Sequence, residues 1–117
     1  MNTPTILLTG FEPYGGRGLN PSAEIVKHFQ GEKIQGVAID GRIFPVTFQS
    51  IEQSVRQALS ESNPIAIISL GLWPGSPLIR LERIGVNIAH CEIPDNAGES
   101  LLDMPLAEAG PEALFVL

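Results

Sequence analysis

Ile6-Leu7-Leu8-Thr9-Gly10 is a short apolar run closed by a small polar residue and a glycine. A strand that is apolar on both sides suits a sheet covered on both faces, as parallel sheets are. Ile65-Ala66-Ile67-Ile68-Ser69-Leu70, which runs into Gly71, reads the same way. Two helical patterns and one further strand lie between these runs. Asn20-Pro21 pairs an N-cap residue with proline at the first helical position. Ala23, Val26 and Phe29, with Ile25 beside them, then form a stripe that Gly31 ends. Val37 to Phe44 is a strand, and Thr47 stands where a cap for the second helix belongs. That helix carries Phe48, Ile51, Val55, Ala58 and Leu59 on one face and breaks at Asn63-Pro64. Strand, helix, strand, helix, strand predicts an α/β layered fold with a largely parallel sheet.

Outward from that frame, the loops 10–20 and 71–77 both follow buried-type strands. Open α/β sheets bind ligands outside the carboxyl ends of their strands, so these loops mark the expected site. Ile79 to Ala89 is expected to form a strand, bent at Gly85, and Pro94-Asp95-Asn96-Ala97-Gly98 a turn cluster. The chain stops on Ala113-Leu114-Phe115-Val116-Leu117. Termini usually lie at the surface, so a bare apolar ending carries the expectation of a cut inside a larger domain.

Seven basic against thirteen acidic residues leave a net charge of −6 over 117 residues. Nucleic-acid backbones require clustered Lys and Arg, and the basic residues here are scattered. The same balance argues against an anionic membrane surface. No stretch approaches the roughly 18 apolar residues of a membrane span, and the start lacks the pattern of a signal peptide. A single cysteine, Cys91, excludes an intramolecular disulfide. The default expectation is a soluble cytoplasmic protein.

Common phosphate loops do not fit. Gly10 to Gly15 has P-loop spacing, but Gly16-Arg17 follows where Lys and Ser or Thr are needed. Gly16-Arg17-Gly18-Leu19-Asn20-Pro21 ends in proline where a dinucleotide fingerprint needs glycine. No G-x-S-x-G elbow is present. His28 and His90 belong to no ligand cluster of recognised spacing. His90 and Cys91 are neighbours on an expected strand and would point to opposite faces, so Cys91 reads as a small buried hydrophobe.

Three segments stand in order: Thr9 to Gly16 with Asn20-Pro21-Ser22, then Gly71 to Gly75 continuing through Leu81 to Asn87, then Ile93-Pro94-Asp95-Asn96. Together they resemble the pyroglutamyl peptidase (pyrrolidone carboxyl peptidase) family of cysteine peptidases. Pro45-Val46-Thr47-Phe48 resembles the segment between the first two. The resemblance implies a three-layer α/β/α sandwich with a largely parallel or mixed sheet, incomplete in this chain, which would be one partial domain, 1–117. It implies an exopeptidase that removes N-terminal pyroglutamyl residues from peptides with a Cys–His–acid triad, without metal or organic cofactor. Glu82 matches the catalytic glutamate, and a carboxylate inside an apolar strand is costly unless it is paired. Phe11 and Tyr14 match aromatic positions of the substrate pocket, Tyr14 standing where Phe is common, and Asn20 matches a polar residue near it. Arg80 and Glu92 depart from the pattern. The family's Cys and His come later than Leu117, so the expectation is a chain inactive alone. The alternatives are a non-catalytic pyroglutamyl-binding or interaction module, and an unrelated phosphate-binding α/β enzyme. Oligomeric state stays open, self-association of a complete chain included.

Overall fold

The structure is a computed structural model and describes residues 3–116. Its main sheet has four strands in the order β2-β3-β1-β4. β1 (Thr5–Phe11) lies inside it, parallel to β3 (Val37–Phe44) on one side and to β4 (Ala66–Ser69) on the other. β2 (Lys33–Ile34) runs antiparallel to β3 as a hairpin arm that the periodicity did not reveal. Its turn, Gln35-Gly36, has φ of 50° and 81°, the left-handed pair that tight hairpins favour.

The chain leaves β1 through α1 (Pro21–Phe29) to reach β3, then returns through α2 (Phe48–Ser62) past β1 to β4. Right-handed crossovers in opposite directions put the two helices on opposite faces of the sheet. Side chains bear this out. Leu7 and Phe44 form a core with Ala58 of α2, and Phe11, Ile51, Val55 and Leu59 pack against it. Gly10 and Gly41 look the other way, beneath α1. A Cβ on Gly10 would stand 2.6 Å from the carbonyl oxygen of Ser22, and one on Gly41 2.8 Å from Val26 Cγ1. Bare backbone at these two positions lets α1 lie directly on the sheet. The expected α/β/α layering is therefore present.

Two expectations need correction. The apolar composition of β4 predicts a buried strand, yet all four of its residues are exposed, Ile67 to 50%. It is the edge of the sheet and neither helix packs on it. Its composition shows what surroundings the strand suits, and these residues do not supply them. The strand expected over 79–89 shrinks to β5 (Ile84–Val86), which pairs antiparallel with β6 (Ala113–Phe115) in a separate two-stranded sheet. Ile79 to Arg83 is irregular, and Ile79 is 97% exposed. A strand is defined by the partner it bonds, and among the described residues Ile79 to Glu82 bonds none. The apolar tail is thus a paired strand with exposed side chains.

Candidate functional site

The loop after β1 is built around Asn20. Its Oδ1 accepts the N–H of Ser22 at 3.0 Å and the Ser22 hydroxyl at 2.7 Å, which caps α1, while its Nδ2 donates to the Glu12 carbonyl at 3.1 Å. Ser22 Oγ in turn accepts the N–H of Phe11 at 3.0 Å. Asn20 is only 1% exposed, and both ends of its carboxamide are engaged. It therefore fixes the path from Phe11 to Pro21 from beneath. These bonds give Asn20 the capping role that Asn20-Pro21 announces.

A second layer ties three distant loops together. Glu12 Oε1 accepts the N–H of Val46 at 3.0 Å and Nδ2 of Asn96 at 3.0 Å. The same Nδ2 donates to the Pro13 carbonyl at 2.9 Å, and the Asn96 N–H donates to the Val46 carbonyl at 2.9 Å. Asp95, buried, accepts the N–H of Phe48 at 2.8 Å and those of Ala97 and Glu99 at 2.9 Å. These bonds, led by the one from Phe48, hold its carboxyl below the usual carboxylate range.

Above this scaffold lies a shallow depression of about 210 Å³ lined by Phe11, Tyr14, Val46, Gly71 and Leu72. Phe11 ends β1, Val46 follows β3, and Gly71 and Leu72 follow β4. The depression thus sits at the carboxyl ends of three parallel strands, where α/β sheets bind ligands. Phe11 and Tyr14, named from the sequence, are brought together in it. Val46, Gly71 and Leu72 complete the wall, and no role had been assigned to them. Their signal was the co-occurrence of Pro45-Val46-Thr47-Phe48 and Gly71-Leu72-Trp73-Pro74-Gly75 in one chain. The same holds for Glu12, Asp95 and Asn96, which organise the loops. Glu82 lies further along the segment that leaves Leu72. It is exposed, outside any strand, and has no hydrogen-bond partner among the described residues. The strand expected around Glu82 is therefore not formed there.

The family model described as pyroglutamyl peptidase matches residues 4–117. The chain belongs to the pyroglutamyl peptidase family. It is 40% identical over 110 residues to the pyrrolidone-carboxylate peptidase of Pyrococcus furiosus, covering 94% of this chain and 53% of that protein. It is 38% identical over 111 residues to the corresponding peptidase of Chromobacterium violaceum, covering 95% and 53%. The fold is similar to a solved mutant pyrrolidone carboxyl peptidase of P. furiosus, with a TM-score of 0.92 over 95% of this chain and 53% of that one. It is also similar to the pyrrolidone carboxyl peptidase of Thermococcus litoralis, 38% identical, with a TM-score of 0.91 over 96% and 51%. The chain spans about half the length of the curated relatives it matches.

In this member of the pyroglutamyl peptidase family, Arg80 is accounted for locally, since its guanidinium lies 5.5 Å from the Trp73 ring centroid. His90 Nδ1 meets Asp103 Oδ1 at 3.0 Å, away from its neighbour's thiol, and Cys91 Sγ meets the Ile93 carbonyl at 2.5 Å. Cys91 is half-exposed, which corrects its reading as a buried hydrophobe. Among the described residues, no group of His, Cys, Asp and Glu is arranged to hold a metal ion, and no helix is long and apolar enough to cross a membrane.

Proposed function

We propose that this chain holds the recognition pocket of a cysteine-type exopeptidase that removes N-terminal pyroglutamyl residues from peptides. The observation that carries the proposal is the meeting of Phe11 and Tyr14 in one depression at the carboxyl ends of β1, β3 and β4. Two aromatic side chains and the apolar Val46 and Leu72 suit a small flat ring, which gains from burial against aromatic surface. At about 210 Å³ the space is small, below the usual range for drug-sized ligands.

Glu82 is the acid that orients the catalytic imidazole. Its carboxylate, exposed and without a partner among the described residues, is open to such a bond. In the family chemistry a thiolate attacks the pyroglutamyl carbonyl carbon and the imidazole protonates the departing amine. The positions that resemble the family contain neither the nucleophile nor the imidazole, and Cys91 and His90 do not bond each other. Loss of a triad nucleophile costs on the order of a million-fold in turnover. The 117 residues alone are therefore expected to bind pyroglutamyl peptides and not to cleave them.

The test combines hydrolysis of a fluorogenic pyroglutamyl amide with a fluorescence titration of Trp73, the residue after Leu72 and 71% exposed. Saturable binding without turnover is the expected result. Absence of any saturable change would overturn the pocket. Turnover abolished by Cys91→Ser would overturn the assignment of the nucleophile.

A further inference from the structure

The hydroxyl of Tyr14 donates to the carbonyl of Leu72 at 2.5 Å, a contact between residues 58 positions apart. Both side chains wall the same space. Among the described residues, the other hydrogen bonds of the 71–82 segment are internal to it. Ser76 N–H donates to the Trp73 carbonyl, the Ser76 hydroxyl serves Leu78, and Arg80 lies over Trp73. Attachment of the flanks comes from the Leu70 N–H on the Thr9 carbonyl and the Val116 N–H on the Arg83 carbonyl. Among the described residues, the Tyr14–Leu72 bond is thus the one hydrogen bond that ties 71–82 to another part of the chain.

We infer that Tyr14 is a specificity-determining strap. Its ring supplies one wall, and its hydroxyl fixes the Leu72 wall at a set distance. The inference rests on the pocket proposed above and adds what sets its width. Bond strength and geometry give the consequence. A strapped slot holds a flat five-membered lactam between its walls and resists a ring one methylene larger. Discrimination of a single methylene by an apolar pocket is worth about tenfold or more when the walls cannot yield. Phenylalanine at position 14 would keep the ring and lose the bond, so the 71–82 segment would yield and selectivity would fall. Lost affinity alone is not the signature, because a merely structural side chain would weaken both lactams together.

The experiment compares the wild-type chain with Tyr14→Phe in two independent readouts. The first is ligand-free. Tyr14 is the one tyrosine of the chain, so the tyrosine doublet in the Raman spectrum reports its hydroxyl alone. Amide hydrogen exchange over 71–82 is measured beside it. A strong-donor tyrosine in the wild type and exchange about fivefold faster in Tyr14→Phe are expected, the effect of one net hydrogen bond. Unchanged exchange would overturn the strap. The second readout is the ratio of affinities, by Trp73 fluorescence, for a pyroglutamyl amide and its six-membered lactam homologue. The wild type is expected to prefer the smaller ring by about tenfold and Tyr14→Phe by less than about threefold. An unchanged ratio with both affinities reduced would overturn the role in specificity. Binding of neither lactam by the wild type would overturn the pocket and its selectivity, while the exchange comparison would still decide the strap.

Discussion

The carboxylate of Asp95 accepts the backbone N–H of Phe48 at 2.8 Å, so the first turn of α2 is capped from 47 positions further along the chain. Thr47 occupies the N-cap position, but its side chain makes no capping bond and its hydroxyl meets that of Ser50 instead. The other oxygen of Asp95 gathers the N–H groups of Ala97 and Glu99. One carboxylate therefore orders its own loop and satisfies one donor of a helix start, where negative charge is favoured. That junction lies next to Val46, a wall of the pocket.

Asp95→Ala is expected to lower the thermal midpoint by several degrees at neutral pH, with Asp95→Asn losing less because an amide oxygen still accepts. The bonds to Asp95 depress its pKa in the folded state. A depressed acid stabilises fully above its unfolded value of about 3.9, and this contribution is lost as pH falls through the folded value. The gap between wild type and Asp95→Ala should therefore be wide at neutral pH and close in acid. Thermal melts by circular dichroism across that range check it.

Glu12 is the hinge of the loop cluster, accepting from Val46 and Asn96 with one oxygen. Hydrogen bonds to a charged acceptor are worth about 1.5–3 kcal/mol each when made inside a protein, and less where water competes. Glu12→Ala should cost about 1–2 kcal/mol in urea denaturation. It should also speed proteolysis within 92–99 before any cleavage in β1 or β3. Equal cleavage in all segments would show that the cluster does not hold the loop locally.

What was legible in the sequence was local. Asn20-Pro21 and Asn63-Pro64 announce helix ends because capping and breaking act within a few residues, and both ends fall where expected. Val37 to Phe44 is a strand with those bounds. Phe11 and Tyr14 stand at and just after the end of a buried-type strand and match a family pattern, and both line one depression. What was not legible depends on distant partners. Asp95 reads as a turn residue until Phe48 arrives beside it. Leu72 contributes a backbone carbonyl, which its side chain does not announce. Ile79 to Glu82 has strand-like composition and, among the described residues, no strand to bond. Glu82 in that stretch consequently lies in the open, although its neighbours in sequence suggest burial.

On the α2 face of the sheet, Arg42 forks onto Asp40, Nε to Oδ1 at 2.9 Å and Nη2 to Oδ2 at 3.0 Å, and reaches Glu61 of α2 with Nη1 at 3.0 Å. It joins the middle of β3 to the last turn of the helix. Arg42 is the main cause that holds the Asp40 carboxyl below its ordinary range, against the opposing effect of burial. Its own pKa is raised in return, chiefly by Asp40. Arg42→Ala leaves a part-buried carboxylate unpaired and should cost about 1–2 kcal/mol at neutral pH, more than a fully exposed pair is worth. Arg42→Lys keeps the charge but not the fork, so it should fall between the two. Because the folded pKa of Asp40 is lowered, the stabilisation is complete above about pH 4 and disappears as pH falls through the folded value. Urea midpoints of wild type and Arg42→Ala should therefore converge in acid and separate at neutral pH. A gap that stays constant across this range would assign the loss to packing of the arginine stem against α2, and not to its charge.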